Sequence, residues 1–392
     1  MLDDITIKHI RTGVQRKKTN EYARIAQKLV YQRFVKVLPS DTLEQKFVSL
    51  LEAQVIEDFG QDGGGVKFSD QVLCENTYVN HVHKWGGKWS EFKFKDTDRS
   101  GIVGGEGIQL IGEATVQSTQ KAAYYPQKYA VKTLRSGTST SMNTDNGNAV
   151  KLVCYDGKAL FAHDHPYNFQ KVGLGTFDNY LVGAPVANTG YPGFLPLAGP
   201  FAKNAGTGTW EYSASASVSL EDAWDNLWKM VEWVSTLKMP DGVTPRFLSP
   251  SNIICSKRLQ KAVVTLLSAK FISMKSGSSG GGSTDIEGSI RALGFSPPTI
   301  LEELSAAPDL ATNEAYDWYI QCEEDQNASE IGAINIGMNM PWNIKVFSDG
   351  SSGGSASLEL AIEDAVVAVG KMRFFIGVGQ PQYIFKSEAP RS

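Results

Sequence analysis

The sequence predicts an α+β protein with about two or three hydrophobic cores, because 392 residues of ordinary apolar and charged content exceed what one core holds. An amphipathic helix, a short apolar strand and a second helix follow one another between Ser219 and Ala269. Alternating runs from Val66 to Val131 and apolar runs after Leu358 are typical of strands. Separate helix-rich and strand-rich stretches in one chain indicate the α+β class.

The first helix of the central stretch is predicted over 219–239, which is about five turns. Its apolar face recurs at spacings of three and four and comprises Leu220, Ala223, Trp224, Leu227, Trp228, Val231 and Val234. Ser219 is the predicted N-cap, and Pro240 and Gly242 end the helix. Trp233 falls off the apolar face, so we predict that it makes a contact outside its own subunit.

A short strand and a second helix follow that turn. Ile253, Ile254 and Cys255 predict a buried strand, and Ser256 is the predicted cap of the helix after it. The apolar face of this second helix comprises Leu259, Ala262, Val263, Leu266 and Leu267. Helix, turn, strand and helix therefore form one packed unit in this prediction.

This order of elements resembles the major head (capsid) protein family of Mu-like tailed phages, which has the HK97-type capsid fold. The segment DGKALFAHDHP, from Asp156 to Pro166, is similar to a segment upstream of the long helix in that family, and the strand-rich tail after Leu301 also fits. The resemblance covers Asp156 to about Gly377, with gaps. It implies an extended N-terminal arm, an E-loop hairpin, a long spine helix in a peripheral domain, and an axial domain.

The resemblance also implies a division of the chain into five parts. They are an N-terminal helical arm (1–62), the E-loop with peripheral strands (63–135), the peripheral domain with the spine helix (136–249), the axial domain (250–356) and C-terminal strands returning to the peripheral domain (357–392). The function implied is a major capsid protein that self-assembles, through hexamers and pentamers, into the icosahedral head enclosing double-stranded DNA. Scaffolding, portal or decoration proteins are further expected partners. The expected location is the virion, and the host cytoplasm before assembly.

The N-terminal part contains the predicted arm and the predicted hairpin. Helix-like spacing runs from Glu21 to Phe59 with a break at Pro39. Two alternating runs, Tyr78 to Trp85 and Lys88 to Lys95, flank a Gly-Gly pair that is typical of a hairpin turn, and this hairpin is the candidate E-loop. A second glycine position, Gly370, is predicted at a turn between paired strands of the tail.

Charge is unevenly distributed although the formal net charge is only -4. Nine Lys or Arg residues lie between Lys8 and Lys36 against the single acid Glu21, whereas Leu301 to Glu330 carries nine acids and no base. Such a basic segment favours a partner of opposite sign. We predict non-specific contact with packaged DNA or with the acidic stretch of a neighbouring subunit, the alternative being an ordinary solvated helix face. No base-reading element accompanies it.

Two His-x-His pairs are the main candidates for chemistry, namely His81 with His83 and His163 with His165. On a strand each pair would direct both rings to one face, a spacing that metal ligands use, and Asp164 would then orient a ligand. A metal-dependent enzyme is therefore an alternative function. No further metal, nucleophile or phosphate-binding motif accompanies the pairs, so we predict structural histidines, no enzyme activity, and no catalytic, cofactor-binding or metal-binding residue.

The remaining composition narrows the class of protein. No stretch approaches the roughly 18 apolar residues of a membrane span, and the N-terminus lacks the apolar segment of a signal peptide. The four cysteines are far apart in sequence and are predicted to be reduced and mostly buried. A tail-tube or baseplate structural protein is a further alternative, but it has no need of the long helix.

Overall fold

A computed structural model describes residues 4–52, 72–90, 106–145, 147–167, 173–187, 189–239, 241–268, 271–275, 283–287, 294–307, 309–324, 331–347 and 365–391. The helices in these ranges are α1 (Asp4–Ala26), α2 (Glu106–Arg135), α3 (Leu220–Ser235), α4 (Gln260–Ser268) and α5 (Glu303–Ala306). Short 3₁₀ turns lie at Tyr31–Arg33, Glu314–Tyr316 and Pro381–Tyr383. In this part of the chain, no helix is long and apolar enough to cross a bilayer.

Strands of the same ranges alternate with these helices. They are β1 (Lys36–Val37), β2 (Glu44–Glu52), β3 (Val72–Val79), β4 (His81–Ser90), β5 (Ser141–Asn143), β6 (Ala149–Lys151), β7 (His165–Pro166), β8 (Thr176–Phe177), β9 (Tyr180–Val182), β10 (Phe201–Lys203), β11 (Trp210–Tyr212), β12 (Leu248–Ser256), β13 (Phe271–Lys275), β14 (Ser283–Glu287), β15 (Thr299–Leu301), β16 (Trp318–Glu324), β17 (Ile334–Phe347), β18 (Ala365–Val378) and β19 (Ile384–Glu388). The α+β class is confirmed.

The first core lies between α2 and a four-stranded sheet with the order β1-β17-β18-β4. β17 and β18 are antiparallel, and β4 pairs antiparallel with the other side of β18. Leu134 of α2, Ile344 of β17 and Met372 of β18 are fully buried in this core. α1 lies across the outside of this unit and packs against α2 and β17.

The second core lies between a five-stranded sheet, β15-β12-β16-β19-β9, and the helices α3 and α4. Leu227 of α3, Val263 of α4 and Trp318 of β16 are completely inaccessible in it. Both the predicted strand at Ile253 to Cys255 and the helix after it are confirmed, as β12 and α4. α3 therefore packs on residues that the sequence assigns to the following segment, 250–356.

The predicted helix over 219–239 is confirmed, but it is shorter than expected. The hydroxyl of Ser219 accepts the backbone N–H of Asp222 at 3.1 Å, as an N-cap does. The helix ends at Ser235, before the predicted stop at Pro240. Its buried face also turns slightly toward Met230 and Asn226, while Leu220 at its first turn is exposed.

The prediction of a second helix between Pro39 and Phe59 is wrong up to Glu52, and residues 53–59 lie outside the described residues. Residues Glu44–Glu52 form strand β2, which pairs antiparallel with β3. The side chains of Phe47, Tyr78 and Phe375 pack together where this hairpin joins the first sheet. Phe47 faces this contact, whereas the next residue, Val48, points to the opposite face and is exposed, so the helical spacing of the apolar residues was a coincidence of short runs.

The predicted hairpin turn at Gly86 and Gly87 is also wrong. β4 runs straight through both glycines, which pair with Val369 and Ala368 of β18. Of the second predicted run, Lys88 to Lys95, only residues 88–90 are described, and they belong to β4. Residues 91–95 lie outside the described residues. Among the described residues, β2 and β3 form an antiparallel pair at this end of the chain, and the residues that join them, 53–71, lie outside that description.

The longest described helix was not predicted. α2 occupies 30 residues within a stretch that the sequence assigned to strands, and it contains Pro126 in its interior. The prediction of a turn at Gly370 is wrong as well, because Gly370 lies inside β18 and pairs with both Ile344 and Trp85.

Candidate functional sites

His81 and His83 lie on β4 and share one face of the strand, as predicted, with the exposed Val82 between them. The ring of His83 stacks on Phe374 at 4.7 Å and lies 5.2 Å from the ring of Tyr125. Burial lowers the pKa of both histidines, which favours the neutral imidazoles. This pair is therefore part of the contact between α2 and the first sheet.

His165 has a purely structural environment. Its side chain and that of Asp156 are inaccessible, and Nδ1 of His165 lies 2.6 Å from the Asp156 carboxylate. Nε2 faces the carbonyl of Leu160 at 3.3 Å, and the ring stacks on Phe177 at 5.3 Å. The DGKALFAHDHP segment thus closes on itself around a buried His-Asp contact.

Asp164 does not orient a histidine, because its carboxylate pairs with Lys158, whose hydrogen bond lowers the Asp164 pKa. His163 instead lies against the rings of Tyr180 and Tyr191, at 5.1 Å and 6.0 Å. Within the described ranges, no three His, Cys, Asp or Glu side chains converge in a way that could hold a metal ion. The four-histidine site of the alternative hypothesis is therefore not formed in this part of the protein.

The described cysteines are buried thiols, as predicted. Cys154, Cys255 and Cys322 are free and inaccessible, and burial raises the pKa of Cys255 to about 12. A thiol in such a place is a poor nucleophile. The side chain of Cys74 lies outside the described residues.

The basic arm is a helix held along one side. Val14 is its buried residue, Gln15 donates to the carbonyl of Ile344 at 2.5 Å, and Gln120 of α2 donates to Glu21 at 2.7 Å. Arg24 forms an ion pair with Glu21, the single acid of the segment. Within the described chain, no ion pair is formed by the consecutive cations Arg16, Lys17 and Lys18.

Within the described part of the acidic stretch, the acids from Glu302 to Asp317 are engaged in their own subunit, which counts against them as the partner of the arm. Arg135 of α2 pairs with Asp309 at 2.9 Å and with Glu314 at 2.5 Å. Glu303 accepts hydrogen bonds from Tyr124 and Gln127, also on α2. These acids attach α5 and the following turn to α2.

A buried cluster of four charges, which the sequence reading missed, closes the C-terminal end. Lys386 is 2% exposed and lies 3.5 Å from Asp317, which is 1% exposed. Lys386 also pairs with Glu388, and Arg391 reaches both acids. The four charges cancel, so the cluster can remain buried. The signal in the sequence was a charged pair, Lys386 and Glu388, inside an apolar strand.

Trp233 packs against the second core and is only partly buried, so its predicted contact outside the subunit stays a prediction. Its Nε1 donates to the carbonyl of Asp178 at 3.0 Å, and its ring meets that of Tyr191 edge to face at 5.9 Å. Trp224 and Trp228 pack edge to face with each other at 5.7 Å and against the second core. All three indoles of α3 thus contribute to packing within the subunit.

Comparison with known proteins gives structural matches but no sequence family. No family model matches the chain, and no curated protein does either. A chain from the procapsid of bacteriophage JBD30 is 12% identical with a TM-score of 0.42, over 100% of this chain and 77% of that one. A chain of Mycobacterium phage Patience is 11% identical with a TM-score of 0.43, over 95% and 86%. One from the capsid of Myoviridae phage XM1 is 8% identical with a TM-score of 0.42, over 91% and 90%.

These similarities extend over most of the chain. Identities near one residue in eight and TM-scores near 0.4 give no residue-level guide to function. The function proposed below therefore rests on the contacts and exposed surfaces of this chain.

Proposed function

We propose that the chain is a major capsid protein of a tailed bacteriophage, of the HK97 type, which self-assembles into the icosahedral shell around double-stranded DNA. The observation that carries this proposal is the pair of extended elements α1 and β2–β3. Both are long and regular, and within the described residues each contacts the rest of the subunit along one side or at one end only. Elements of this kind require a neighbour to cover them.

The β2–β3 hairpin supports this argument through its exposed apolar side chains. Val48 of β2 is 56% exposed and Val79 of β3 is 54% exposed, while the stacked rings of Tyr78 and Phe375, 4.9 Å apart, fix the base of the hairpin. Single exposed apolar residues are ordinary, but a two-stranded ribbon is barely stable in water on its own. A second subunit that covers the ribbon supplies the stability that the ribbon lacks alone.

α1 supports the same conclusion. From Arg11 to Ala26 the helix buries Val14 alone, so most of its surface faces away from its own subunit. Contact with a neighbouring copy or with the enclosed DNA uses that surface. Many copies must close into one shell, which favours such arms over a single rigid interface.

The proposal assigns the chain a non-enzymatic role, which the packing of its described histidines and cysteines supports. Their histidines pack in cores or face aromatic rings, their cysteines are inaccessible, and they contain no metal-ligating cluster. In this proposal the subunits form hexamers and pentamers of the shell, portal, scaffolding or decoration proteins are their partners, and the virion is their location. Packing of α3 onto β12 favours placing 219–239 with the axial segment.

Electron microscopy of the purified full-length protein tests this function, and shells or rings are the expected result. Val48→Asp should leave the circular dichroism spectrum and melting temperature unchanged, since Val48 is exposed, and should abolish shells. Val48→Thr is the matched control and should assemble like the wild type, because it keeps the branched shape that suits a strand. A monomer at high concentration that forms no shell under any salt condition would contradict the proposal.

A further inference from the structure

A cavity of about 600 Å³ lies where β8, β9 and the C-terminal end of α3 meet. Its walls are largely aromatic and comprise Tyr167, Phe177, Tyr191, Trp233 and His163. Asp178 contributes a carboxylate to the same lining. The sequence reading assigned none of these residues to a common site, because they come from three separate stretches of chain.

Three of the aromatic walls, Trp233, Tyr191 and Tyr167, have backbone partners for their polar atoms. Nε1 of Trp233 donates to the carbonyl of Asp178, and the hydroxyl of Tyr191 donates to the carbonyl of Val182 at 2.9 Å while accepting its N–H at 2.7 Å. The hydroxyl of Tyr167 bonds to the backbone of Lys238. These three rings are therefore fixed in place, and their polar atoms already have backbone partners. A ligand in the cavity therefore contacts the faces of these rings.

The carboxylate of Asp178 differs from the other acids of the chain interior. Asp317 and Glu388 have cationic partners, and Asp156 has His165. Among the described residues, Asp178 has no hydrogen bond or ion pair to its carboxylate, although the side chain is half-buried. Burial raises its pKa, while nearby His163 opposes the rise. A half-buried carboxylate without a partner is stabilised by a cation.

We propose that this cavity binds an organic cation, an alkylammonium or guanidinium group, between the aromatic rings and the carboxylate of Asp178. Aromatic faces attract such cations through the ring quadrupole, and a carboxylate adds direct charge pairing. A cavity of this size also exceeds what a single ammonium group needs, so the cation arrives on an alkyl chain that contacts the rings.

Two sources present this chemistry. One is a lysine or arginine of a second copy. The cations of α1 are candidates, since Arg16, Lys17 and Lys18 have no acidic partner among the described residues of their own subunit. The other is a free aliphatic polyamine. Only the first source depends on the function proposed above.

Isothermal titration of the full-length protein with putrescine tests the site, and 1,4-butanediol, which has a similar shape without charge, is the control ligand. Putrescine should bind at one site per chain, and butanediol should not bind. Asp178→Asn should weaken putrescine binding at least tenfold. Asp225→Asn, which removes an exposed acid of α3, should bind as the wild type does. A synthetic peptide of residues 8–24 identifies the source, because a neighbouring arm should bind more tightly than putrescine.

A second variant covers the case in which Asp178→Asn fails to fold. Val186 lies at the lining of the cavity and is 51% exposed, so Val186→Lys supplies an ammonium group from within and should compete with putrescine while the carboxylate remains. No saturable putrescine binding, or binding that neither variant changes, would overturn the proposal. If putrescine does not bind, shell formation can still be observed by microscopy. If shells do not form, putrescine binding can still be measured by titration.

Discussion

The indole of Trp342 on β17 lies directly against the backbone of Gly370 on β18, so that a Cβ at position 370 would lie 2.2 Å from a ring carbon. Nε1 of the same indole donates to the hydroxyl of Thr119 on α2 at 3.2 Å. Trp342 therefore joins the two central strands of the first sheet to the longest helix. Gly370 is required here for the close approach of a ring, and it makes no turn.

Gly370→Ala should destabilise the subunit by about 1 to 3 kcal/mol, because the added methyl group forces the buried indole of Trp342 out of place. Denaturant unfolding monitored by tryptophan fluorescence measures this difference. The control is Gly86→Ala on β4 of the same sheet, where an added Cβ meets nothing within 4 Å. Equal losses for the two variants would show that the backbone, and not the indole, sets the cost.

The sequence predicted those elements that are specified locally. α3 has its own cap and an apolar face of helical spacing, and β12 has a run of branched residues between turn signals. β4 was misread because Gly86 and Gly87 look like a hairpin turn until β18 pairs along the whole strand. Pairing between residues nearly 300 positions apart overrides a local turn signal, and one sequence alone does not reveal that pairing.

α2 was missed for a related reason. Its sequence contains Thr, Val and Tyr residues and an interior proline, which favour strands or breaks over helices. Burial against β17 and β18 compensates for this poor propensity. Residues such as Thr115 use their hydroxyl on the preceding turn, at 2.7 Å from the carbonyl of Ile111, and so remain satisfied inside the helix.

The same difference applies to the candidate sites: features formed by neighbouring residues were predicted, and features formed by residues far apart in the sequence were not. The sequence located the histidines and favoured structural roles for them, but it gave no sign that His165 faces Asp156. It found the basic arm as a run of charge. It could not find the cavity at Asp178 or the cluster at Asp317, because each joins residues that are far apart along the chain.

Leu227→Ala should cost about 2 to 5 kcal/mol of folding stability, because Leu227 is 0% exposed in the second core and leaves a cavity behind. Leu220→Ala is the control on the same helix, where the side chain is 41% exposed, and should cost less than about 1 kcal/mol. Urea unfolding of both variants gives the comparison. Similar losses would show that α3 packs through a different face.

Asp317 should make stability depend on pH between about 4 and 6. Burial raises its pKa from 3.8 to about 6, against the pull of Lys386 and Arg391. The folded state therefore holds the proton more tightly than the unfolded chain. The contribution of Asp317 to stability is complete below about pH 4 and is lost as the pH rises through about 6.

Asp317→Asn should remove this contribution. The unfolding free energy of the variant should therefore fall less between pH 4.5 and pH 6.5 than that of the wild type does. The control is Asp309→Asn, because its hydrogen bond with Arg135 lowers the pKa of Asp309 and the sign reverses. Its effect should be small, since Asp309 is 73% exposed. An unaltered pH profile in Asp317→Asn would disprove the assignment.

Replacing Arg16, Lys17 and Lys18 together by Glu should leave the subunit folded and reduce shell formation or DNA retention, most strongly at low salt. These three cations have no acidic partner within the described residues of their own subunit, and salt screens exposed charges within about 8 Å at physiological ionic strength. A triple reversal at Lys121, Lys151 and Lys203, which are exposed elsewhere, is the control with equal charge change. The proposal for the arm fails if both triple variants assemble and retain DNA as the wild type does.

Phe247→Gly should stabilise the free subunit and weaken assembly. Phe247 is 75% exposed and has a φ of 52°, a left-handed conformation that glycine adopts without the steric cost of a Cβ. Its loop is well fixed, since Asp241 accepts the N–H groups of Val243 and Thr244 at 2.8 Å and 2.9 Å. We therefore predict that this strained, exposed aromatic makes a contact outside the subunit. The melting temperature of unassembled Phe247→Gly should rise by a few degrees, and shell yield should fall.

The control is Asn313→Gly, at the other non-glycine residue with positive φ among those described. It should lower the melting temperature, because the amide of Asn313 donates to the carbonyl of Pro390 at 3.0 Å. A fall in melting temperature with normal shell yield for Phe247→Gly would refute both the strain and the contact.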